Sequence, residues 1–273
     1  MIGRVPAAVR LVHPAPALAV VALSAALALI ISGQSGTTDP LRVLLTVVAV
    51  AGSQVATGAS NDWADRDRDR LVRRDKPIPS GQISPGGAVV IALIGLAVQL
   101  TASLPLGPAA TLAGLAALAS AVAYNLWLSR TPFSLLPYLV SFGLLPIWIA
   151  LGVGAPVERV LPAVPLVAPF ASAAHLANTL RDWDADAAGG SRSLAQTLGR
   201  PASWALAMAL AVGVGVVAVI VFAASGRVPV ATVGLGIVGL AAVANGARSP
   251  LALWYGILVA AVCWTAGWAI ATG

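Results

Sequence analysis

Charge in this chain is concentrated in one stretch, Asn61-Asp62-Trp63-Ala64-Asp65-Arg66-Asp67-Arg68-Asp69, which the basic residues of 70–76 follow directly. Four of the ten Asp and Glu residues lie within these nine positions. A second patch further along the chain holds three more, Asp182, Asp184 and Asp186. In a chain that is 59% hydrophobic, acids placed this unevenly predict a functional site rather than a solubilising surface.

The overall composition places the chain in a membrane. With 59% hydrophobic and 10% charged residues, it lies far outside the range of soluble globular domains. The single cysteine, Cys263, excludes a disulfide framework and a thiolate metal site. The net charge of +6 is spread over short connections, which argues against a folded basic surface for nucleic acid. We therefore predict an integral membrane protein, in contact with lipid, that binds no nucleic acid.

Nine apolar stretches are each long enough, at roughly 17–25 residues, to cross the bilayer as a helix. They are predicted at 14–32, 42–60, 86–104, 107–127, 134–154, 161–180, 201–223, 228–246 and 250–271. If the N-terminus is cytoplasmic, thirteen of the sixteen Lys and Arg residues fall in cytoplasmic segments, as the positive-inside rule requires. The prediction is an all-α polytopic protein of the plasma (inner) membrane, with its C-terminus outside and both acidic patches on the cytoplasmic side.

The spacing of the acids indicates a metal site. Two sets of residues, spaced to share one face of a helix, each begin with Asn: Asn61, Asp62, Asp65 and Asp69, and then Asn178, Asp182 and Asp186. Asp67 and Asp184 lie off these faces. Oxygen ligands without His or Cys suit Mg²⁺, with Mn²⁺ as an alternative. Because Mg²⁺ shares its coordination with phosphate oxygens, the nearby cations predict a diphosphate site that includes Arg73, Lys76 and Arg192.

The charged runs have an alternative explanation. One charged run alone is typical of a solvated loop of surface ion pairs, but two runs with matching spacing favour a site.

Two histidines are weaker signals beside the acidic patches. His175 lies one turn before Asn178, and it is interpreted either as a base or acceptor contact or as a residue that only satisfies a hydrogen bond. A role at the site is favoured less for His13, beside Pro14 at the start of the first helix.

At these residues the sequence resembles the UbiA superfamily of intramembrane prenyltransferases. The first set matches that family's Asn-Asp-x-x-Asp-x-x-x-Asp motif at every position, and residues 73–81 are similar to the segment that follows it. The second family motif is matched by Asn178, Asp182, Asp186, Gly190, Arg192 and Leu194. Thr179 and Ser193 stand where many members have Asp and Thr. Residues 124–130 resemble a Tyr-x-x-x-x-Lys-Arg segment, with Ser129 in place of Lys.

The resemblance implies a single domain over 1–273, in which nine helices surround a central cavity capped by cytoplasmic loops at about 61–85 and 178–200. It implies transfer of an isoprenyl group from an isoprenyl diphosphate to a second substrate, an aromatic or other lipophilic or polar acceptor. The implied metal ligands are Asp62, Asp65, Asp69, Asp182 and Asp186. The implied diphosphate contacts are Asn61, Arg73, Lys76, Arg130, Asn178 and Arg192, and the candidates for a base or acceptor contact are His175 and Tyr124.

Three other functions stay open from the sequence. An intramembrane terpene cyclase would use the same acids, and a polyprenyl-phosphate glycosyl (phosphoribosyl) transferase would invert the roles of the two substrates. An ion-coupled transporter is the third. Against the transporter, the acids cluster at helix ends rather than near the middle of the membrane, where coupling sites usually lie.

Overall fold

Helices provide all the regular secondary structure in the part of the chain that the computed structural model describes. The described residues are 6–34, 36, 39–188, 192–226 and 228–272, except for the side chains of 185, 186, 188 and 272. The α-helices in these ranges are α1 (Ala7–Leu11), α2 (Pro14–Gln34), α3 (Pro40–Val72), α4 (Pro85–Ser103), α5 (Pro108–Leu126), α6 (Leu136–Val153), α7 (Val164–Arg181), α8 (Trp183–Ala188), α9 (Leu194–Leu198), α10 (Arg200–Ala224), α11 (Pro229–Ala244) and α12 (Pro250–Thr272).

Nine of these helices are long and apolar enough to cross a membrane, counted over the described residues. They are α2 to α7 and α10 to α12, some of them lengthened by a turn of 3-10 helix. Pro146 and Pro169 lie inside two of them, which membrane helices tolerate because neighbouring groups satisfy the freed backbone. The predicted number and order of membrane helices are confirmed.

Helix α3 departs most from its predicted bounds. The predicted span ends near residue 60 and is followed by a loop at about 61–85, but α3 continues to Val72 and carries the whole first acidic motif. The prediction of a loop over this part of the motif is therefore wrong. The polar turns stay helical because oppositely charged side chains three positions apart stabilise a helix. Such pairs include Arg68 with Asp65 at 3.2 Å and Arg70 with Asp67 at 3.3 Å.

The second acidic motif departs from prediction in the opposite way. The spacing of Asn178, Asp182 and Asp186 predicts one continuous helical face, but α7 ends at Arg181 and Asp182 has non-helical dihedral angles (φ −96°, ψ 14°). A new helix starts at Trp183. This restart places Asp184 in the first turn of α8, where the helix dipole favours an acid.

The described residues form two compact units. The first comprises the chain up to Ser129 together with Leu144–Val160. Within it, α3 packs against α2, α4 and α5. The backbones of α3 and α4 approach so closely that a Cβ atom on Gly52 would lie 2.6 Å from the backbone nitrogen of Gln99. Such small-residue contacts are typical of helix pairs in membranes.

The second unit comprises Arg130–Gly143 and the chain from Leu161 onward. Its helices α7, α10, α11 and α12 pack against one another. The buried core of this unit includes Leu176, Phe222, Val243, Leu253, Ile257 and Trp264. The indole nitrogen of Trp264 donates to the carbonyl oxygen of Gly236 at 3.1 Å, so the largest core side chain leaves no buried polar atom unsatisfied. The prediction of one domain over 1–273 stays a prediction.

The orientation in the membrane also stays a prediction, and cysteine labelling checks it. In a Cys263→Ala background, Asp67→Cys and Asp184→Cys should react with an impermeant maleimide from the cytoplasmic side only, whereas Glu158→Cys should react from the other side. The side chains of Asp67 and Asp184 are 70% and 92% exposed, which makes both positions accessible to the reagent. Labelling of these two positions from opposite sides would contradict the common placement of the acidic patches.

Candidate active site

The last turns of α3 present the first acidic motif on one face. Asp62, Asp65 and Asp69 follow an i, i+3, i+7 spacing on a continuous helix, so their side chains share a face. Asp62 and Asp69 are each only 1% exposed, and the side chain of Asp65 is 13% exposed. The side chain of Asp67, in contrast, is 70% exposed. The helix thus separates three shielded carboxylates from one solvated carboxylate, as the spacing predicts.

Lys76 bridges two of these carboxylates. Its ammonium nitrogen lies 2.8 Å from Oδ1 of Asp62 and 2.8 Å from Oδ2 of Asp69. The turn after α3 brings Lys76 back to the helix, because Ile78 is buried in a cluster with Leu11, Ala59 and Ala88. Lys76 is the only lysine in the chain. It supplies the positive charge that two buried carboxylates on one helix face require.

His13 reaches the same carboxylate from the start of the chain. Its Nε2 lies 2.9 Å from Oδ1 of Asp62, the oxygen that also accepts from Lys76. The backbone of His13 has a φ of 52°, a left-handed value that is uncommon outside glycine. Sequence reasoning gave His13 little weight, and the only signal was its position beside a helix start.

Two carboxylate oxygens of the motif have no hydrogen-bond partner in the described ranges of the chain. Oδ2 of Asp62 and Oδ1 of Asp69 are buried and accept no hydrogen bond from any described residue. Oδ2 of Asp69 has the ion pair with Lys76 at 2.8 Å but not the angles of a hydrogen bond. Buried oxygens of this kind are costly, so the site is suited to take up a further cation or donor.

These residues supply some, but not all, of the ligands that a hard divalent cation needs. The unpartnered atoms are carboxylate oxygens, the donors that Mg²⁺ prefers. Within the described residues, however, no three His, Cys, Asp or Glu side chains are gathered closely enough to hold a metal ion by themselves. A site with few protein ligands suits Mg²⁺, which keeps several waters and shares substrate phosphate oxygens.

An amide network fixes the asparagine that leads the motif. Nδ2 of Asn61 donates to Oδ1 of Asn125 at 3.2 Å. Nδ2 of Asn125 in turn donates to the carbonyl oxygen of Thr57 and to Oγ of Ser60, both at 2.9 Å. Asn125 is 3% exposed and ties α5 to α3. Sequence reasoning selected its neighbour Tyr124, which is half-buried, and missed Asn125 although it lies in the same short motif.

The second motif is more open in the residues that can be described. The side chain of Asp182 is 27% exposed and its Oδ1 lies 3.4 Å from Nε of Arg181. Asp184 is solvated, and its Oδ1 lies 3.0 Å from Nη2 of Arg200. Asn178 is half-buried on α7. The side chain of Asp186 lies outside the described residues, so its predicted role as a ligand stays a prediction.

His175 is buried in an aromatic stack. Its ring lies 4.2 Å from the ring of Tyr138, centroid to centroid, with 21° between the planes. Tyr138 stacks in turn on Phe142 at 5.9 Å. Sequence reasoning identified His175 but missed both aromatic residues. Their i, i+4 spacing on α6 was a usable signal, because residues four apart share a helix face.

The remaining predicted cations lie at helix ends. Arg73 is half-buried immediately after α3, Arg130 is exposed at the end of a 3-10 turn, Leu128–Arg130, and Arg192 is exposed just before α9. Beside Lys76, an open cleft of about 360 Å³ is lined by Arg10, His13, Pro14, Ala15, Pro16, Asp62, Asp75, Lys76 and Pro77. The contacts of these cations with phosphate stay predictions.

Comparison with solved structures identifies the fold. A UbiA homologue from Archaeoglobus fulgidus, described as bound to GPP and Mg²⁺, superposes with a TM-score of 0.70 over 98% of this chain and 100% of that chain. The two sequences are 18% identical. At this identity the similarity concerns the arrangement of the helices, and the all-α membrane fold is confirmed by it.

Comparison with sequences identifies the family. Digeranylgeranylglyceryl phosphate synthase from Natronomonas pharaonis is 33% identical over 199 residues, which is 72% of this chain and 70% of that protein. Protoheme IX farnesyltransferase from Cereibacter sphaeroides is 40% identical over 102 residues, but the match spans only 35% of this chain and 32% of that enzyme. The family model of the UbiA prenyltransferases matches residues 21–248. With its acidic motif shielded on α3 and its nine candidate membrane helices, the chain belongs to the UbiA prenyltransferase family.

Proposed function

We propose that this protein is a Mg²⁺-dependent intramembrane prenyltransferase that moves an isoprenyl group from an isoprenyl diphosphate to a lipophilic or polar acceptor. The observation that carries the proposal is the pair of buried carboxylates, Asp62 and Asp69. Each has a shielded oxygen that accepts no hydrogen bond from the part of the chain that the structure describes, and one lysine lies between them. One relative is a digeranylgeranylglyceryl phosphate synthase and another a protoheme IX farnesyltransferase, and together they support transfer of a prenyl group without favouring one acceptor.

In the proposed reaction, the bond between C1 of the isoprenyl group and the diphosphate oxygen breaks, and its electron pair leaves with the diphosphate. The acceptor forms a bond to C1 and loses a proton. Mg²⁺, when bound, neutralises the charge that develops on the departing diphosphate. The residues proposed to hold it, directly or through water, are Asp62, Asp65, Asp69, Asp182 and Asp186.

In this proposal, cationic and amide side chains bind the diphosphate. Arginine matches phosphate oxygens with a fork of donors, and lysine adds a point charge. The residues proposed for these contacts are Asn61, Arg73, Lys76, Arg130, Asn178 and Arg192. The membrane helices exclude water from the allylic cation, which prevents its hydrolysis. His175 and Tyr124 are proposed as a base or as acceptor contacts.

An acceptor panel tests the proposal. Purified protein in detergent should convert geranyl, farnesyl or geranylgeranyl diphosphate only when an acceptor is present, and product formation should stop when Mg²⁺ is chelated. The panel contains aromatic acids, an isoprenyl glyceryl phosphate and protoheme IX, and mass spectrometry identifies the product.

Two results would contradict the proposal in different ways. Rapid formation of a cyclic hydrocarbon without any acceptor would replace the transferase with a terpene cyclase. Undiminished transfer in the presence of EDTA would remove the metal from the proposed reaction but leave the transferase itself in place.

A further inference from the structure

The N-terminal segment, residues 6–13, is packed onto the end of α3 that carries the acidic motif. Leu11 is completely buried in the cluster that contains Ala59 and Ile78. Ala59 lies three positions before Asp62, and Ile78 anchors the turn that carries Lys76. Arg10 donates to the carbonyl oxygen of Asp75 in the same turn. The segment therefore contacts both elements that present the motif.

The N-terminal segment packs directly against the backbone of Gly58 on α3. A Cβ atom on Gly58 would lie 2.7 Å from Cα of Val12 and 2.8 Å from its carbonyl oxygen, so any larger residue would push the segment away. Immediately after Val12, His13 takes its positive φ of 52°. A strained backbone persists only when its surroundings hold it in place, and such strain is often found at functional sites. The contact of Val12 with Gly58 thus determines where the imidazole of His13 lies.

The contact of His13 decides how the carboxylate of Asp62 is turned. Nε2 of His13 and Nζ of Lys76 lie 2.9 Å and 2.8 Å from the same atom, Oδ1. The other oxygen, Oδ2, is buried and has no hydrogen-bond partner within the described residues. Two donors on one oxygen restrict rotation of the carboxylate and leave Oδ2 as the atom available to a cation. An ionised carboxylate oxygen only accepts, so Nε2 of His13 is the donor in this contact.

We propose that His13 is a positioning residue, which orients Asp62 so that Oδ2 serves as a metal ligand. Because the N-terminal segment holds His13 in place, this segment contributes to the diphosphate site. This inference rests on the proposed function. Groups that hydrogen-bond to a metal ligand orient it, and their removal typically lowers metal affinity 10- to 100-fold. His13 acts only through Asp62 and needs no contact with substrate.

Two substitutions at His13 test the inference. His13→Gly removes the imidazole and also relieves the positive φ, whereas His13→Gln keeps an amide donor close to the position of Nε2. Binding of Mn²⁺ is measured by electron paramagnetic resonance with an unreactive isoprenyl thiolodiphosphate, together with the melting temperature and the Mg²⁺ dependence of kcat. We expect His13→Gly to weaken Mn²⁺ binding about 10-fold with an unchanged melting temperature, and His13→Gln to restore most of the affinity.

Substitution of Gly58, which contacts the N-terminal segment, gives a second, independent test. Gly58→Ala should displace Val12 and weaken Mn²⁺ binding in the same way as His13→Gly. Its matched control is Gly213→Ala on α10, where an added Cβ would meet nothing within 4 Å, and this variant should bind Mn²⁺ like the unmodified protein.

The outcomes separate this inference from the proposed function. Unchanged Mn²⁺ affinity in His13→Gly or in Gly58→Ala would overturn the positioning role alone. Loss of affinity together with a lower melting temperature, and without rescue by His13→Gln, would reduce His13 to a structural residue and likewise overturn it. If the unmodified protein neither binds Mn²⁺ nor consumes a diphosphate, the proposed function fails, and the inference fails with it.

Discussion

Replacing Asp62 with Asn should lower the rate of prenyl transfer by on the order of 10²-fold or more. The amide has nearly the same size and can still accept from His13 and Lys76, so the packing around α3 should survive. It carries no negative charge, however, and its second polar atom becomes a donor where a cation is expected. Steady-state kinetics at saturating Mg²⁺ and diphosphate would measure the loss.

The matched control is Asp67→Asn on the same helix. The side chain of Asp67 is 70% exposed and pairs with its neighbours Arg66 and Arg70, and exposed pairs of this kind contribute little. We expect its activity to stay within a few-fold of the unmodified protein. Equal losses at the two positions would mean that the total charge on α3 matters rather than the charge at Asp62. Full activity in Asp62→Asn would remove Asp62 from the proposed metal ligands.

Replacing Lys76 with Met should destabilise the folded protein by about 3 kcal/mol or more, because removing one partner of a buried ion pair leaves uncompensated charge. Two carboxylates, Asp62 and Asp69, lose their shared ammonium group in this variant. Thermal unfolding in detergent measures the effect. Added Mg²⁺ should recover more stability in Lys76→Met than in the unmodified protein, since binding to the folded state alone stabilises it.

A surface pair provides the comparison for this second result. Arg70→Met removes an ion pair with Asp67 in which both side chains are more than half exposed, and it should cost less than about 1 kcal/mol. Equal destabilisation by the two substitutions would show that the bridge from Lys76 is no stronger than a surface contact. A Lys76→Met protein insensitive to Mg²⁺ would show that a cation does not enter between the two carboxylates.

The membrane helices and the first acidic face were predictable because each follows from local sequence. An apolar run of sufficient length has few alternatives to a helix in lipid, so the number of spans followed from hydrophobicity alone. The i, i+3, i+7 spacing likewise separated buried Asp62 and Asp69 from exposed Asp67. The polarity of the sequence gave a wrong helix boundary at the end of α3, where ion pairs along the helix keep the charged turns helical to Val72.

The parts that were missed depend on contacts between distant residues. His13 meets Asp62 from 49 positions away, and Asn125 meets Asn61 from 64 positions away. Neither pairing has a periodic signature, since both depend on how separate helices pack. The end of α7 at Arg181 was missed for a different reason. Spacing shows which residues would share a face if the helix continues, but it does not show that the helix continues.

The bridge from Lys76 has a consequence for how such a protein is made. Some metalloproteins fold only when their ion is supplied. Here Lys76 provides the counter-charge for Asp62 and Asp69, so we expect the acidic face to assemble in the bilayer without Mg²⁺. If these carboxylates hold Mg²⁺ as proposed, we expect biogenesis to proceed without metal, and an incoming ion would have to compete with the ammonium group of Lys76.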